Sequence, residues 1–249
     1  MDRRFVWTRA TARWSSPRPK PWTSPLEAAV DRIAENVWIL RYPLRLLGVE
    51  IGRSVTIIRL GNGKLVIHST APFTAADVAA IQSLGKPGWM VDVTAFHDSF
   101  AEEARRAFPL LRYLVPDRFP KATALKCEPL DPAPAEWAGQ LEVLRIEGVP
   151  RIQEHAVFHA PSRTLIVGDL LFNFGQHALG WTKFFARRVM RLKELVGMSP
   201  FFRMMIRDRR AFDDSIRKIL RWEFDPIIVG HGAVIEFEAK QRVSELLSG

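Results

Sequence analysis

The chain has 249 residues, 47% hydrophobic and 25% charged, which excludes a disordered or fibrous protein and is enough to bury one sizeable core. Its one cysteine, Cys127, excludes an internal disulfide framework and favours a reducing compartment. No apolar run approaches the roughly 18 residues of a membrane span.

The net charge of +9 is concentrated in two places. Residues 1 to 25 carry six basic side chains against Asp2, and residues 181 to 221 carry twelve against four acidic ones, which leaves the rest mildly acidic. The N-terminus has arginines but no continuous apolar stretch, so a secretory signal is not expected. A cytoplasmic protein, at most peripheral to a membrane, is the expectation.

Residues 1 to 32 read as an arm. Ser15, Ser16, Pro17, Pro19, Pro21, Ser24 and Pro25 break regular structure, and the basic residues repel one another. Trp7, Trp14 and Trp22 make it stickier than a plain linker. Residues 33 to 249 read as one domain. Val37–Leu40 and Ser54–Leu60 are β-rich, and Gly61-Asn62-Gly63 turns the chain tightly into Lys64–Ile67. Thr74 is placed to cap a helix ending at Leu84, where Gly85-Lys86-Pro87-Gly88 stops it before a strand to Val93. Ser99 is placed to cap a helix over Phe100–Phe108, and Tyr113–Val115 is a further strand.

Strands then follow one another. Leu141–Ile146 and Glu154–His159 alternate, Pro161-Ser162-Arg163 turns the chain, and Thr164–Val167 returns it. Two amphipathic helical patterns, Lys183–Val196 and Phe201–Trp222, make a basic insertion over residues 181 to 222. Pro226–Val229 is one more strand and Glu236–Leu247 a last helix. This order predicts an α+β fold with two packed sheets and helices outside.

Four apolar runs end in a histidine or aspartate: Leu65-Val66-Ile67 in His68, Met90–Val93 before His97-Asp98, Thr164–Val167 before Gly168-Asp169, and Pro226–Val229 before Gly230-His231. Val- and Ile-rich strands are buried, so their polar residues emerge at the strand ends. Several such ends at one rim assemble a metal or hydrolytic site from residues distant in sequence.

The succession of strand-Thr-x-x-His, strand-Gly-Asp-Leu-Leu-Phe and strand-Gly-His-Gly, at Thr94–His97, Gly168–Phe172 and Gly230–Gly232, resembles the metallo-β-lactamase superfamily. Within it, the chain is similar to a degenerate branch catalogued as a domain of unknown function. The resemblance covers about residues 33 to 248 and implies an αββα sandwich of two mixed sheets. It also implies a metal site built from a His-x-His-x-Asp-His signature, a later His, a Gly-Asp and a final His. Carried over, the signature places Ala95, His97, Ser99 and Phe100 at its ligand positions, and the later His falls near Pro150 or Arg151. Asp169 and His231 match, and His68 stands where the family has an Asp in its early turn. The implied ligands are therefore His97, Asp169 and His231, with His68 or Asp98 as a fourth, around a single zinc, iron or manganese ion.

Each candidate has a plainer reading. Asp169 would cap its turn, and His68 and His97 would be satisfied core histidines. His155 and His159 share a strand face too far apart to chelate together, and His177 lies on a loop. Cys127 follows Lys126, which would lower its pKa, yet has no evident partner. The arginines of the insertion, Arg187, Arg188 and Arg191 among them, would be solvated, would bind anions, or would lie on an anionic lipid surface, with nucleic acid less favoured.

Two functions follow. One is a metal-dependent hydrolase of an ester or phosphoester small molecule, with Asp169 orienting the attacking water or bridging to the metal. The other is a catalytically silent relative that binds partners or a membrane surface through its basic helices.

Overall fold

The computed structural model describes residues 30–46, 48–175, 180–189 and 195–248. The apolar runs read as strands are buried on both faces, and their alternation decides which layer each side chain joins.

The first sheet contains β1 (Asp31–Ala34) and β2 (Val37–Tyr42); the two-stranded hairpin β3 (Arg45–Leu46) and β4 (Val49–Glu50) is set apart from it. It continues with β5 (Arg53–Arg59), β6 (Lys64–His68), β7 (Lys86–Val91), β8 (Arg112–Val115) and β9 (Glu128–Pro129). Its seven strands run β1-β2-β5-β6-β7-β8-β9, antiparallel as far as β6 and parallel from β6 onward.

The second sheet has β10 (Leu141–Arg145), β11 (His155–His159), β12 (Thr164–Asn173), β13 (Val196–Gly197) and β14 (Ile227–Gly232). Here β14 lies parallel to β12, with a break in register between Val167 and Phe172.

Alternation builds the layers. Ile58, Val66 and Val91 of the first sheet meet Val157, Ile166 and Ile228 of the second in a shared core sealed by Trp89 and Trp137. Their neighbours Val55, Ile57, Leu65 and Ile67 face outward onto Ile81 of α1 (Ala75–Leu84). Met90 and Tyr113 pack on Ala101 and Ala104 of α2 (Ala101–Ala107). On the far side Leu165, Val167, Ile227 and Val229 pack beneath Phe212, Ile216 and Ile219 of a helix over Arg209–Ile219. The order helix, sheet, sheet, helix is an αββα sandwich, as expected.

Caps and turns follow the sequence in places and depart from it in others. Thr74 caps α1 with a reciprocal capping box through Asp77, and Gly63 takes a positive φ of 79° in the hairpin turn. Ser99 caps nothing: Phe100 precedes α2 and makes no side-chain capping bond.

The basic insertion is more broken than its periodicity suggests. It contains α3 (Gly180–Phe184), a π-helical turn at Phe185–Val189, and strand β13, which pairs with Phe172 and Asn173. The second helical pattern splits into α4 (Pro200–Met205), capped by Ser199, and α5 (Arg209–Ile219), capped by Asp208. Asp208 accepts from the Ala211 N–H, a local bond that competes with continuation of the preceding helix. The last helix is α6 (Ala239–Ser244), tightening into a 3₁₀ turn at Glu245–Ser248. The N-terminal arm to residue 29, His177 and Arg191 lie outside the described residues.

His68 closes β6 opposite Thr56 and Val91, is 2% exposed, and its Nε2 has no hydrogen-bond partner. Burial, reinforced by the positive charge of Arg53, pushes its pKa down to about 4. The unfolded chain therefore takes up a proton below the ordinary value of 6.5 while the folded chain does not until about 4, so this group costs stability as pH falls through that window. Comparing urea unfolding at pH 7 and pH 5, His68→Asn should remove about 2 kcal/mol of the acid-side loss shown by the unmodified protein.

Candidate metal centre

The ends of two strands and an irregularity inside a third supply the site. His97 sits in the loop after β7, Asp169 within β12 where its register with β14 breaks, and His231 near the end of β14. One ligand-capable atom from each lies within 4.8 Å of the others. His97 Nε2 is 3.3 Å and His231 Nε2 is 3.2 Å from the same oxygen, Asp169 Oδ1. The imidazole rings stand edge to face, 5.3 Å apart. Both histidines are buried, and Asp169, with 15% of its side chain exposed, is the most open of the three.

The glycines beside these residues make the approach possible. A Cβ on Gly230 would lie 2.7 Å from the Gly168 carbonyl oxygen and 3.1 Å from His97 Cε1. Gly232 has φ +109°, and a Cβ there would fall 1.8 Å from the Asn173 carbonyl oxygen. The Gly-His-Gly sequence thus lets β14 come close enough to β12 for His231 and Asp169 to meet, with His97 fitted between.

Surrounding groups fix each side chain. The loop carrying His97 is stitched to the second sheet by bonds from Ala95 N–H to Ile152 O and from His155 N–H to Val93 O, each 2.8 Å. His97 Nδ1 lies 3.5 Å from Ser69 Oγ, and Thr94 Oγ1 lies 3.4 Å from Asp169 Oδ2. His231 stacks on Phe172, and its Nδ1 is 2.6 Å from the Gly52 carbonyl oxygen. A carbonyl only accepts, so His231 Nδ1 carries the proton. In the neutral ring Nε2 then presents a lone pair to Asp169 Oδ1. Two lone pairs facing at 3.2 Å need a cation between them, either a proton or a metal ion. A histidine whose second nitrogen donates to a carbonyl is the usual arrangement of a metal ligand.

The electrostatics agree. Burial works to raise the Asp169 carboxyl, but the charges and hydrogen bonds of His97 and His231 hold it well below its ordinary value. Burial, then the charge of Arg53, pushes His97 down to about 3, against the pull of Asp169. The centre is thus a carboxylate flanked by two nitrogen donors, a borderline set suited to zinc or iron.

Two further residues shape the site and were not singled out in the sequence. Glu154 is fully buried and accepts from the N–H groups of Gly168, Asp169 and Leu170 at 2.8 to 3.0 Å, filling the ladder gap left by the register break. Burial and the nearby Asp169 push its pKa up to about 8, while the three N–H groups oppose the shift. Arg53, at the start of β5 and 1% exposed, has no hydrogen-bond partner for Nε or Nη1. Its charge is felt by Asp92, Asp169 and Asp98. In sequence Glu154 looks like the solvent side of an alternating strand, and Arg53 like a charged residue at a strand edge.

Other candidates stay apart. His68 and Asp98 are outside the three-residue group. His155 Nδ1 lies 3.0 Å from the Gln153 carbonyl and His159 Nδ1 2.6 Å from Ser162 Oγ. Cys127 is no activated thiolate: burial pushes the thiol up to about 11, nearby Arg105 does not offset it, and Lys126 does not lower it.

Glu154→Leu should strand three buried N–H groups and destabilise the fold by about 3–5 kcal/mol, read as a lower denaturation midpoint. Glu154→Gln, which keeps an accepting oxygen, should lose less.

No family model matches the chain, and no curated protein matches it. Solved structures do. The DIM-1 metallo-β-lactamase exposed to ceftazidime superposes with a TM-score of 0.60 at 17% identity, covering 90% of this chain and 97% of its own. The FIM-1 enzyme from Pseudomonas aeruginosa in its mono-zinc form gives 0.59 at 14% identity, covering 90% and 96%. A metallo-β-lactamase from Erythrobacter litoralis gives 0.60 at 16%, covering 88% and 95%. With the strand order, the four layers and the shared rim already in place, these superpositions show that the chain has the metallo-β-lactamase fold.

Proposed function

We propose that the chain is a metal-dependent hydrolase of an ester or phosphoester, working with one divalent ion held by His97 Nε2, Asp169 and His231 Nε2. The observation that carries this reading is the tautomer of His231. Its bond to Gly52 puts the proton of the neutral ring on Nδ1, so that Nε2 can offer a lone pair toward the oxygen that His97 also faces. A bound ion would supply Lewis-acid polarisation of the substrate and a lowered pKa for water. The protein's own part is to hold Asp169 ionised, orient both imidazoles through Ser69 and Gly52, and limit water around buried histidines.

One ion, rather than two, is favoured by what stands elsewhere. By the resemblance, Ala95, Ser99, Phe100 and either Pro150 or Arg151 stand at the family's ligand positions, and none is a ligand of the usual kind. Arg53 adds a fixed positive charge beside Asp169 that opposes a second cation. The fold itself is compatible with a mono-metal enzyme, since the FIM-1 structure is a mono-zinc form.

Protein purified without chelators should contain at most about one equivalent of zinc, iron or manganese by elemental analysis, consistent with a three-residue ligand set. His231→Ala should lose it while remaining folded, and His68→Asn should keep it. Two tightly held equivalents would overturn the single-ion reading. No metal taken up under any loading condition, with the fold intact, would favour the catalytically silent module.

A further inference from the structure

Exposed apolar side chains are unevenly distributed. Among the described residues, Leu46, Phe96, Phe184, Val189, Phe201 and Met204 are large, apolar and 42–62% exposed; only Leu110 and Phe237 share that status elsewhere. The six converge on one rim. Phe96 precedes His97 and meets Phe201 at 5.8 Å between ring centres. Met204 follows on the same helix, α4. Leu46 tips the β3–β4 hairpin, whose Val49 packs with Phe172, the ring that stacks on His231. Helix α3 packs against β4, and the π-helical turn carrying Val189 continues from it.

The insertion's share of this rim carries exposed positive charge. Arg187, Arg188, Arg203 and Arg207 are exposed, and none has an acidic partner among the described residues. Residues 180–189 and 195–207 contain no aspartate or glutamate at all. Apolar side chains interspersed with cations at one rim match an interface of hydrocarbon and anionic headgroups.

We infer that this rim, formed by the β3–β4 hairpin, the loop at Phe96, the π-helical turn and α4, docks on an anionic lipid surface. Charge complementarity selects that occupant. The N-terminal arm carries six basic residues against one acidic in its first 25 positions, so it would be repelled from the patch and would add to attraction toward the same lipid. A second copy would present like charge to like. Half of the six, Leu46, Val189 and Met204, are aliphatic and gain nothing from a nucleic-acid base, whereas hydrocarbon accommodates these and the rings of Phe96, Phe184 and Phe201 alike. The inference does not depend on catalysis, although docking would bring the metal centre down to the headgroups.

The test is co-sedimentation of the full chain with vesicles of phosphatidylcholine alone and of equimolar phosphatidylcholine and phosphatidylglycerol. The anionic vesicles should bind it preferentially, and the affinity should fall with added salt. Replacing Arg187, Arg188 and Arg203 together by Gln should weaken binding on the order of a hundredfold, at roughly fivefold per basic side chain. Leu46→Ser with Met204→Ser should weaken the binding that survives high salt by about tenfold. Equal binding to both vesicles, or affinity unchanged by both sets of substitutions, would overturn the inference. So would a concentration-dependent dimer abolished by those substitutions, which would make the rim an interface between copies. Should a variant fail to fold, a flat salt titration of the unmodified protein would overturn it alone. Metal content is read separately, so either proposal can fail while the other stands.

Discussion

The hydrogen bond between His231 and the Gly52 carbonyl joins the two sheets at the point where the site is made. Gly52 immediately precedes β5 in the first sheet and His231 is next to last in β14 of the second, so the bond spans the sandwich rather than running along one layer. It sets the orientation of the imidazole and the tautomer with it. That choice turns Nε2 toward Asp169, and the third group, His97, completes the cluster from a loop tied to both sheets. The chemistry available at the rim follows from a contact made by the backbone of a residue with no side chain of its own.

Holding Asp169 in place has its own cost. The parallel ladder between β12 and β14 breaks where the carboxylate must turn toward the histidines, and three consecutive N–H groups lose their strand partner. One buried carboxyl, Glu154, takes all three. The close approach of β14 depends in turn on Gly230 and Gly232, whose backbones sit where any Cβ would strike the neighbouring strand. Local irregularity in the ladder and regularity around it are therefore parts of one arrangement.

Much of this was legible in the sequence. Residues His97, Asp169 and His231 announced themselves because each follows an apolar run; for His97 and His231 the strand does run out there, whereas Asp169 stays inside β12, at the register break, because the strand continues to Asn173. The layers were legible for the same reason: neighbours such as Ile57 and Ile58 both needed burial, which one sheet face cannot give. Glu154 and Arg53 were not legible, because a charged residue inside a strand looks solvent-facing until the second sheet closes over it. The second long helix expected in the basic insertion, Phe201–Trp222, also failed. Periodicity records which side chains share a face, whereas Asp208 spends its side chain on a local backbone bond that begins a new helix. A single residue's preference outweighed a pattern spread over twenty.

Arg53 has a consequence for the order of events. A cluster of buried carboxylates without a fixed counterion would repel itself during folding and wait for an ion to close around. Here the chain brings its own cation to Asp92 and Asp169, delivered by the backbone of β5 as the first sheet forms. The sandwich is then held together without an ion, so that if the proposed metal binds it joins as a late and exchangeable guest. On that proposal a chelator would empty the protein without unravelling it, and the supply of metal would set how much of it is loaded rather than how much is folded.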